Sequence, residues 1–252
     1  NMALSIYACL RQHQTIDQDA LAQSFAEHFD RRRGYGPAMH RWARRVGEGG
    51  HWQVVAGEMF DGTGSYGNGG AMQVAPVGAY FADDLSLVVE MAAKSAEITH
   101  AHPEGIAGGI AVAVATAIAH QHRDTEDLSP SDFIRLVIEH VPDSEVKSGL
   151  VRASDIRTTM ISHVVRMIGN GSRISAQDTV PFAVWCAARF RHDFEDAIWR
   201  TLSGGGDADT TAAMVGGISA MVGSYDDFPG AWVDAREPLP VWAVGEADSP
   251  GA

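Results

Sequence analysis

Residues 105–119, GIAGGIAVAVATAIA, constrain the folding of this chain more than any other stretch. The run has no charge, so it needs burial on all sides, yet it is shorter than the roughly 20 residues of a membrane-spanning helix. Its centre, IAVAVATAI, alternates in a way that imitates a strand. Its alanine content and its length with flanking residues favour a helix whose small side chains let neighbours come close. No transmembrane segment and no membrane attachment are expected.

The surroundings of that helix read as more helices. MALSIYACLRQH (2–13) has helical periodicity, and Asp17 caps QDALAQSFAEHF (18–29). SPSDFIRLVIEHV (129–141) opens with Ser129 as N-cap, Pro130 at the first helical position and Asp132 three residues after the cap. Further helices are predicted at 37–46, 73–81, 84–98, 104–121, 179–190, 194–202 and 209–223. Neither a strand-rich block nor a sequence repeat is present. The expected fold is all-α, a single compact many-helix domain over residues 1–252. FDGTGSYGNGGAM (60–72) and GGGDADTT (204–211) are too glycine-dense for helix interiors and read as loops leading into helices. The tail from Pro229 reads as a surface wrap that frays at its end.

Composition narrows the function classes. The hydrophobic share of 45% and charged share of 20% belong to an ordinary globular chain. A net charge of -13 argues against binding to duplex nucleic acid, which relies on Lys and Arg to displace counterions. A phosphate-bearing ligand would need a local site built from backbone N–H groups, a helix N-terminus or bound cations. Cys9 and Cys186 have no metal or redox spacing, so free buried thiols and a cytoplasmic location are expected. The chain opens with Asn-Met, leaving room for a segment upstream.

Chemistry concentrates in the two glycine-rich stretches. Capping explains one aspartate at a helix start, but Asp207, Asp209 and Thr210 crowd hard oxygen donors at spacings i, i+2 and i+3. Two such carboxylates repel unless a cation lies between them, and oxygen donors suit Mg²⁺, Mn²⁺ or Ca²⁺ rather than zinc. The stretch 60–72 is either a plain tight loop or a nest of N–H groups for diphosphate oxygens, with Phe60 and Tyr66 able to stack a nucleobase. It matches neither a Walker A loop nor a dinucleotide fingerprint. In THAHPEG (99–105), His102 reads as the cap of the helix near Pro103, and His100 as a donor to a ligand hydroxyl or phosphate. Arg31, Arg32, Arg33, Arg41, Arg44 and Arg45 read as a solvated face, with guidance of an anionic partner as the alternative.

GSYGNGGAM, then TH, then GNGSRISAQDTVP (169–181), then GGGDADTTAAMVGG (204–217), in that order, resemble the ADP-ribosylglycohydrolase family. Phe60, GSYGNGG and RGYG (33–36) are most similar to the branch that removes ADP-ribose from serine. The resemblance implies an all-α fold and hydrolysis of a glycosidic bond at the distal ribose. It also implies ADP-ribose and ADP-ribosylated proteins as partners and a centre of two Mg²⁺ or Mn²⁺ ions. Carried onto this sequence, Asp207, Asp209 and Thr210 are the metal ligands, the two aspartates serving catalysis. Gly64, Ser65, Gly67, Asn68 and Gly69 cradle diphosphate and ribose with His100, and Phe60 and Tyr66 border the adenosine. The family's Thr-Asp-Asp triplet and its N-terminal acidic residue have no counterpart here. The natural chain is therefore expected to extend before Asn1, and no residue is named as general acid or base. Hydrolysis of arginine-linked or small-molecule conjugates, or ADP-ribose binding without turnover, are the alternatives; a monomer is expected.

Overall fold

The computed structural model describes residues 1–125 and 127–245. Its elements are α1 (Met2–His13), α2 (Gln18–Glu27), α3 (Pro37–Gly47), α4 (Trp52–Gly57), α5 (Met59–Gly62), α6 (Gly69–Met72), α7 (Ala75–Tyr80), α8 (Leu85–Glu97) and α9 (Pro103–Gln121). They continue with α10 (Pro130–His140), α11 (Glu145–Ser154), α12 (Ile161–Ile168), α13 (Ala176–Phe190), α14 (Phe194–Leu202), α15 (Ala208–Ser219), α16 (Gly230–Ala235) and α17 (Val241–Val244). Among the described residues, extended pairing is limited to an isolated bridge between Gly67 and Ser175. The fold is all-α, as the periodicity predicts.

Helix α9 is the axis of the domain. It extends past the apolar stretch at both ends, to 19 residues, long and apolar enough by length and composition alone to cross a bilayer. Its burial is met by protein instead, because α6, α7, α8, α10, α11, α13 and α15 all pack on it. Small residues set the separations. A Cβ on Gly78 of α7 would lie 2.1 Å from the Ala113 carbonyl oxygen, so the two backbones touch. Gly108 and Gly109 likewise meet Ala176 of α13 and Ala96 of α8. Each absent side chain lets a helix close on α9 at backbone distance, where dispersion contacts are densest.

Local capping explains the helix starts. Asp17 accepts a hydrogen bond from the Ala20 N–H at 3.0 Å, and Ser129 from the Asp132 N–H at 3.1 Å. His102 caps α9, its Nδ1 accepting from the Glu104 N–H at 3.1 Å. The structure also corrects the sequence reading. Helices α4, α11 and α12 lie where none was expected, α13 begins at Ala176 with Pro181 in its interior, and α15 stops at Ser219. The loop 60–72 contains single turns at both ends, and the tail from Pro229 carries α16 and α17. That tail is a wrap, as expected: Trp242 stacks on His28 at 3.6 Å between ring centroids, and Arg33 pairs with Glu237 at 2.6 Å. Its final residues, 246–252, lie outside the described residues. Both cysteines are free and buried.

Candidate active site

The segments that carry the family-like motifs are far apart in sequence and meet in space. Their junction is Asn68. This side chain is 4% exposed, and its Nδ2 donates to Thr179 Oγ1 at 3.0 Å and to Asp207 Oδ2 at 2.7 Å. One amide therefore ties the glycine loop to α13 and to the start of α15. Its N–H groups are used inside the protein, which leaves its side-chain oxygen as the polar atom not engaged by these two bonds.

The glycine density of 64–70 has a local cause. His100 is packed under the loop, and a Cβ at Gly67, Gly69 or Gly70 would come within 3.3, 3.1 or 3.2 Å of its imidazole. Gly64 adopts φ +74°, and a Cβ there would lie 2.7 Å from the backbone nitrogen of His102. Side chains at these positions would lift the loop off the ring. His100 is buried, its Nδ1 lies 2.8 Å from Thr99 Oγ1, and burial pushes its pKa down to about 4. It is a neutral ring at neutral pH, able to exchange a hydrogen bond but not to carry charge.

Ser65 is buried, and its Oγ accepts from the Gly67 N–H at 3.2 Å, so one N–H of the nest is satisfied within the loop. The Tyr66 carbonyl accepts from the Ala176 N–H at 2.9 Å, pinning the loop to the start of α13. Phe60 and Tyr66 are about half exposed, with ring centroids 6.5 Å apart and planes 32° from parallel. Phe60 has φ 54°, a left-handed conformation that costs a bulky side chain about 1 kcal/mol or more. Tyr66 also rests on His102, 5.4 Å between centroids.

Asp207 occupies the N-cap position of α15 without a side-chain capping bond; its carboxylate faces Asn68 instead. The capping explanation of this residue is thereby displaced. Asp209 is exposed in the first turn and Thr210 is buried beside it. Among the described residues no group of three or more His, Cys, Asp or Glu side chains could hold a metal ion. The donors present, two carboxylates and a hydroxyl at one helix start, have the chemistry of part of a hard-cation site.

Several residues here were not singled out in the sequence. Asn170 Nδ2 donates to the Gly204 carbonyl at 2.8 Å, and Gly171, at φ +87°, leaves no room for a Cβ, which would lie 2.9 Å from that of Asp207. Thr179 completes the Asn68 contact, its hydroxyl donating to the Ser175 carbonyl at 2.8 Å. Ile174, 65% exposed at φ 53°, stands next to the Gly67–Ser175 bridge. Their one signal was membership of GNGSRISAQDTVP. The arginine cluster is exposed, and Arg32, Arg33 and Arg45 form surface ion pairs with Asp30, Glu237 and Glu58.

Comparison with known proteins agrees with this convergence. The ADP-ribosylglycohydrolase family profile matches residues 1–247. ADP-ribosylhydrolase ARH3 of Homo sapiens is 31% identical over 267 residues, covering 94% of this chain and 73% of that protein. An uncharacterized protein of Archaeoglobus fulgidus is 30% identical over 220 residues, 84% of this chain and 67% of its own length. A solved structure titled ADP-ribosylglycohydrolase-related protein complex shares the fold, with a TM-score of 0.65 at 23% identity, over 98% of this chain and 76% of that one. With the motif segments gathered around Asn68 and the match spanning nearly the whole chain, this protein belongs to the ADP-ribosylglycohydrolase family.

Proposed function

We propose that this chain carries the ADP-ribose-binding face of a metal-dependent hydrolase that releases ADP-ribose from modified proteins, with serine O-linkages as the preferred substrate. The observation that carries the reading is the Asn68 bridge, which sets the glycine loop and the Asp207–Thr210 helix start side by side. A nest for the diphosphate thus adjoins a cluster of oxygen donors. The likeness to ARH3 supports the serine preference.

In this reading, Phe60 and Tyr66 flank the adenine, and the N–H groups of 68 and 69 take diphosphate oxygens. His100 supports that backbone from beneath as a neutral ring. Asp207, Asp209 and Thr210 would hold Mg²⁺ or Mn²⁺, which would supply charge neutralisation and orientation of the ribose hydroxyls. Asn68 donates to the Asp207 carboxylate, and that bond would orient the oxygen offered to a cation. Three protein ligands do not fill two six-coordinate sites. The reading therefore assigns the remaining ligands, and the acid or base, to sequence beyond these 252 residues. The free buried thiols support a reducing, cytoplasmic setting.

The test is release of ADP-ribose from serine-modified and arginine-modified peptides, with Mg²⁺, with Mn²⁺ and with chelator. It is run on the 252 residues and on an N-terminally extended form. Metal-dependent release from serine by the extended form is expected. Release from arginine alone would replace the acceptor, release undiminished by chelator would remove the metal, and binding without release would make the protein a non-catalytic relative.

A further inference from the structure

Helices α11 and α12 and the loop 169–175 border a cavity of about 650 Å³. Each contributes one arginine to its wall: Arg152, Arg166 and Arg173. All three are exposed, and among the described residues none of their guanidinium groups has an ion pair or a hydrogen bond within the protein. Arg152 and Arg166 stand in the last turns of their helices, where a cation is favourable against the helix dipole. That accounts for each residue's place along its helix. It leaves unexplained why both line the same concavity as a loop arginine.

Two carboxylates also line the cavity, Glu145 and Asp178, and neither pairs with these guanidinium groups. Asp178 Oδ2 accepts from the Arg173 backbone N–H at 2.9 Å, and Glu145 opens α11, roughly 10 Å along the helix from Arg152. The surrounding stretch carries a positive surplus: residues 151–174 hold four arginines and one aspartate, in a chain of net charge -13. That aspartate, Asp155, faces Arg135 at 4.0 Å. The result is a locally positive surface on a negative molecule, where an anionic segment is attracted while most of the protein repels it.

The cavity adjoins the candidate active site. Asn170 belongs to both, lining the cavity while its Nδ2 donates to the Gly204 carbonyl at 2.8 Å. The next residue, Gly171, has no room for a Cβ against that of Asp207. In the proposed reaction the glycosidic bond breaks beside the Asp207–Thr210 helix start, so the acceptor polypeptide has to lie on the surface around that end, and the arginine cavity is part of that surface. We propose that this cavity docks an acidic segment of the ADP-ribosylated protein, Asp or Glu residues flanking the modified serine, and so selects among acceptors by charge. The inference rests on the hydrolase reading above. Guanidinium forks suit carboxylates, and Met167, half exposed on the cavity wall, offers the segment an adaptable apolar contact.

Fluorescence anisotropy of labelled peptides, in chelator to stop metal-dependent turnover, tests this. Each peptide carries one ADP-ribosylated serine, flanked either by Asp and Glu or by Asn and Gln. The acidic peptide should bind at least tenfold tighter than the neutral one, and added salt should shrink the difference. Arg152→Gln, Arg166→Gln and Arg173→Gln together should erase it while leaving the affinity for free ADP-ribose unchanged. Should that variant fail to fold, Arg173→Gln alone is the second, and it should shrink the difference in part. Equal affinities for the two peptides, or an acidic advantage undiminished in the folded variants, would overturn the proposal. Displacement of the acidic peptide by a single-stranded oligonucleotide at equal or lower concentration would overturn it too, by making the surface a nucleic-acid site. Where free ADP-ribose still binds, these failures leave the active-site reading standing; a wild type that does not bind ADP-ribose would remove both.

Discussion

Replacing Asn68 with alanine should cost far more than a single polar contact. The side chain is 4% exposed and donates to Thr179 at 3.0 Å and to the Asp207 carboxylate at 2.7 Å. A bond to a charged acceptor contributes about 1.5–3 kcal/mol and a neutral one about 1 kcal/mol. Thr179 is fully buried, but its hydroxyl keeps the Ser175 carbonyl as acceptor, so its loss is the smaller part. The expected destabilisation is about 2–4 kcal/mol, or a fall in Tm of roughly 4–16 °C for a chain of this length. Urea denaturation of Asn68→Ala, Asp207→Ala and the double variant closes a cycle that isolates the charged bond. The coupling energy should be about 1.5–3 kcal/mol, with the double variant costing less than the sum of the singles. Additive singles, to within about 0.5 kcal/mol, would mean the bridge is incidental and would remove the observation on which the proposed function stands.

Asp209 is exposed and contributes nothing visible to the helix, so Asp209→Ala should leave urea stability within about 0.5 kcal/mol while abolishing metal-dependent hydrolysis by the extended form; full turnover would refute its role. Gly78→Ala should cost about 3 kcal/mol or more, read by thermal denaturation, because its Cβ would sit 2.1 Å from the Ala113 carbonyl oxygen. His100, with its pKa lowered to about 4, stays neutral in the native state while its unfolded counterpart takes up a proton below pH 6.5. Its contribution is therefore present above pH 6.5 and is lost as pH falls towards 4, by about 3 kcal/mol in all. Urea midpoints across that window should drop for the wild type and drop less for His100→Gln; parallel curves would place the titration elsewhere.

The fold was legible wherever a helix announced itself through an end signal or a sustained apolar stripe. Asp17 and Ser129 are such signals, and both side chains make the capping bonds they imply. Helix α11 carried a comparable one in Ser144, which caps Lys147, and in Val146, Gly149, Leu150 and Ala153 on its buried face. Gly149 obscured it, since glycine weakens helix propensity and its reason here is tertiary: a Cβ would lie 2.4 Å from the ring of Pro181. The site was legible as a list of motifs and not as an arrangement. That GGGDADTT is rich in oxygen donors can be read locally. That the Asp207 carboxylate points to Asn68, 139 residues away, is a property of packing that no local pattern encodes. The glycines of 67–70 read as room for a ligand, and the structure adds that they are also room for His100.

The 139-residue separation across the Asn68–Asp207 bond also bears on folding kinetics. A contact of such span closes a long loop, and loop-closure entropy has to be met before the contact returns anything. Local helical hairpins such as α8 with α9 and α10 with α11 can form earlier, whereas the proposed binding face requires α6, α13 and α15 already docked on α9. The proposed ADP-ribose site is then expected to form after the folding transition state. ADP-ribose should accordingly slow unfolding in proportion to its occupancy and leave the refolding rate unchanged.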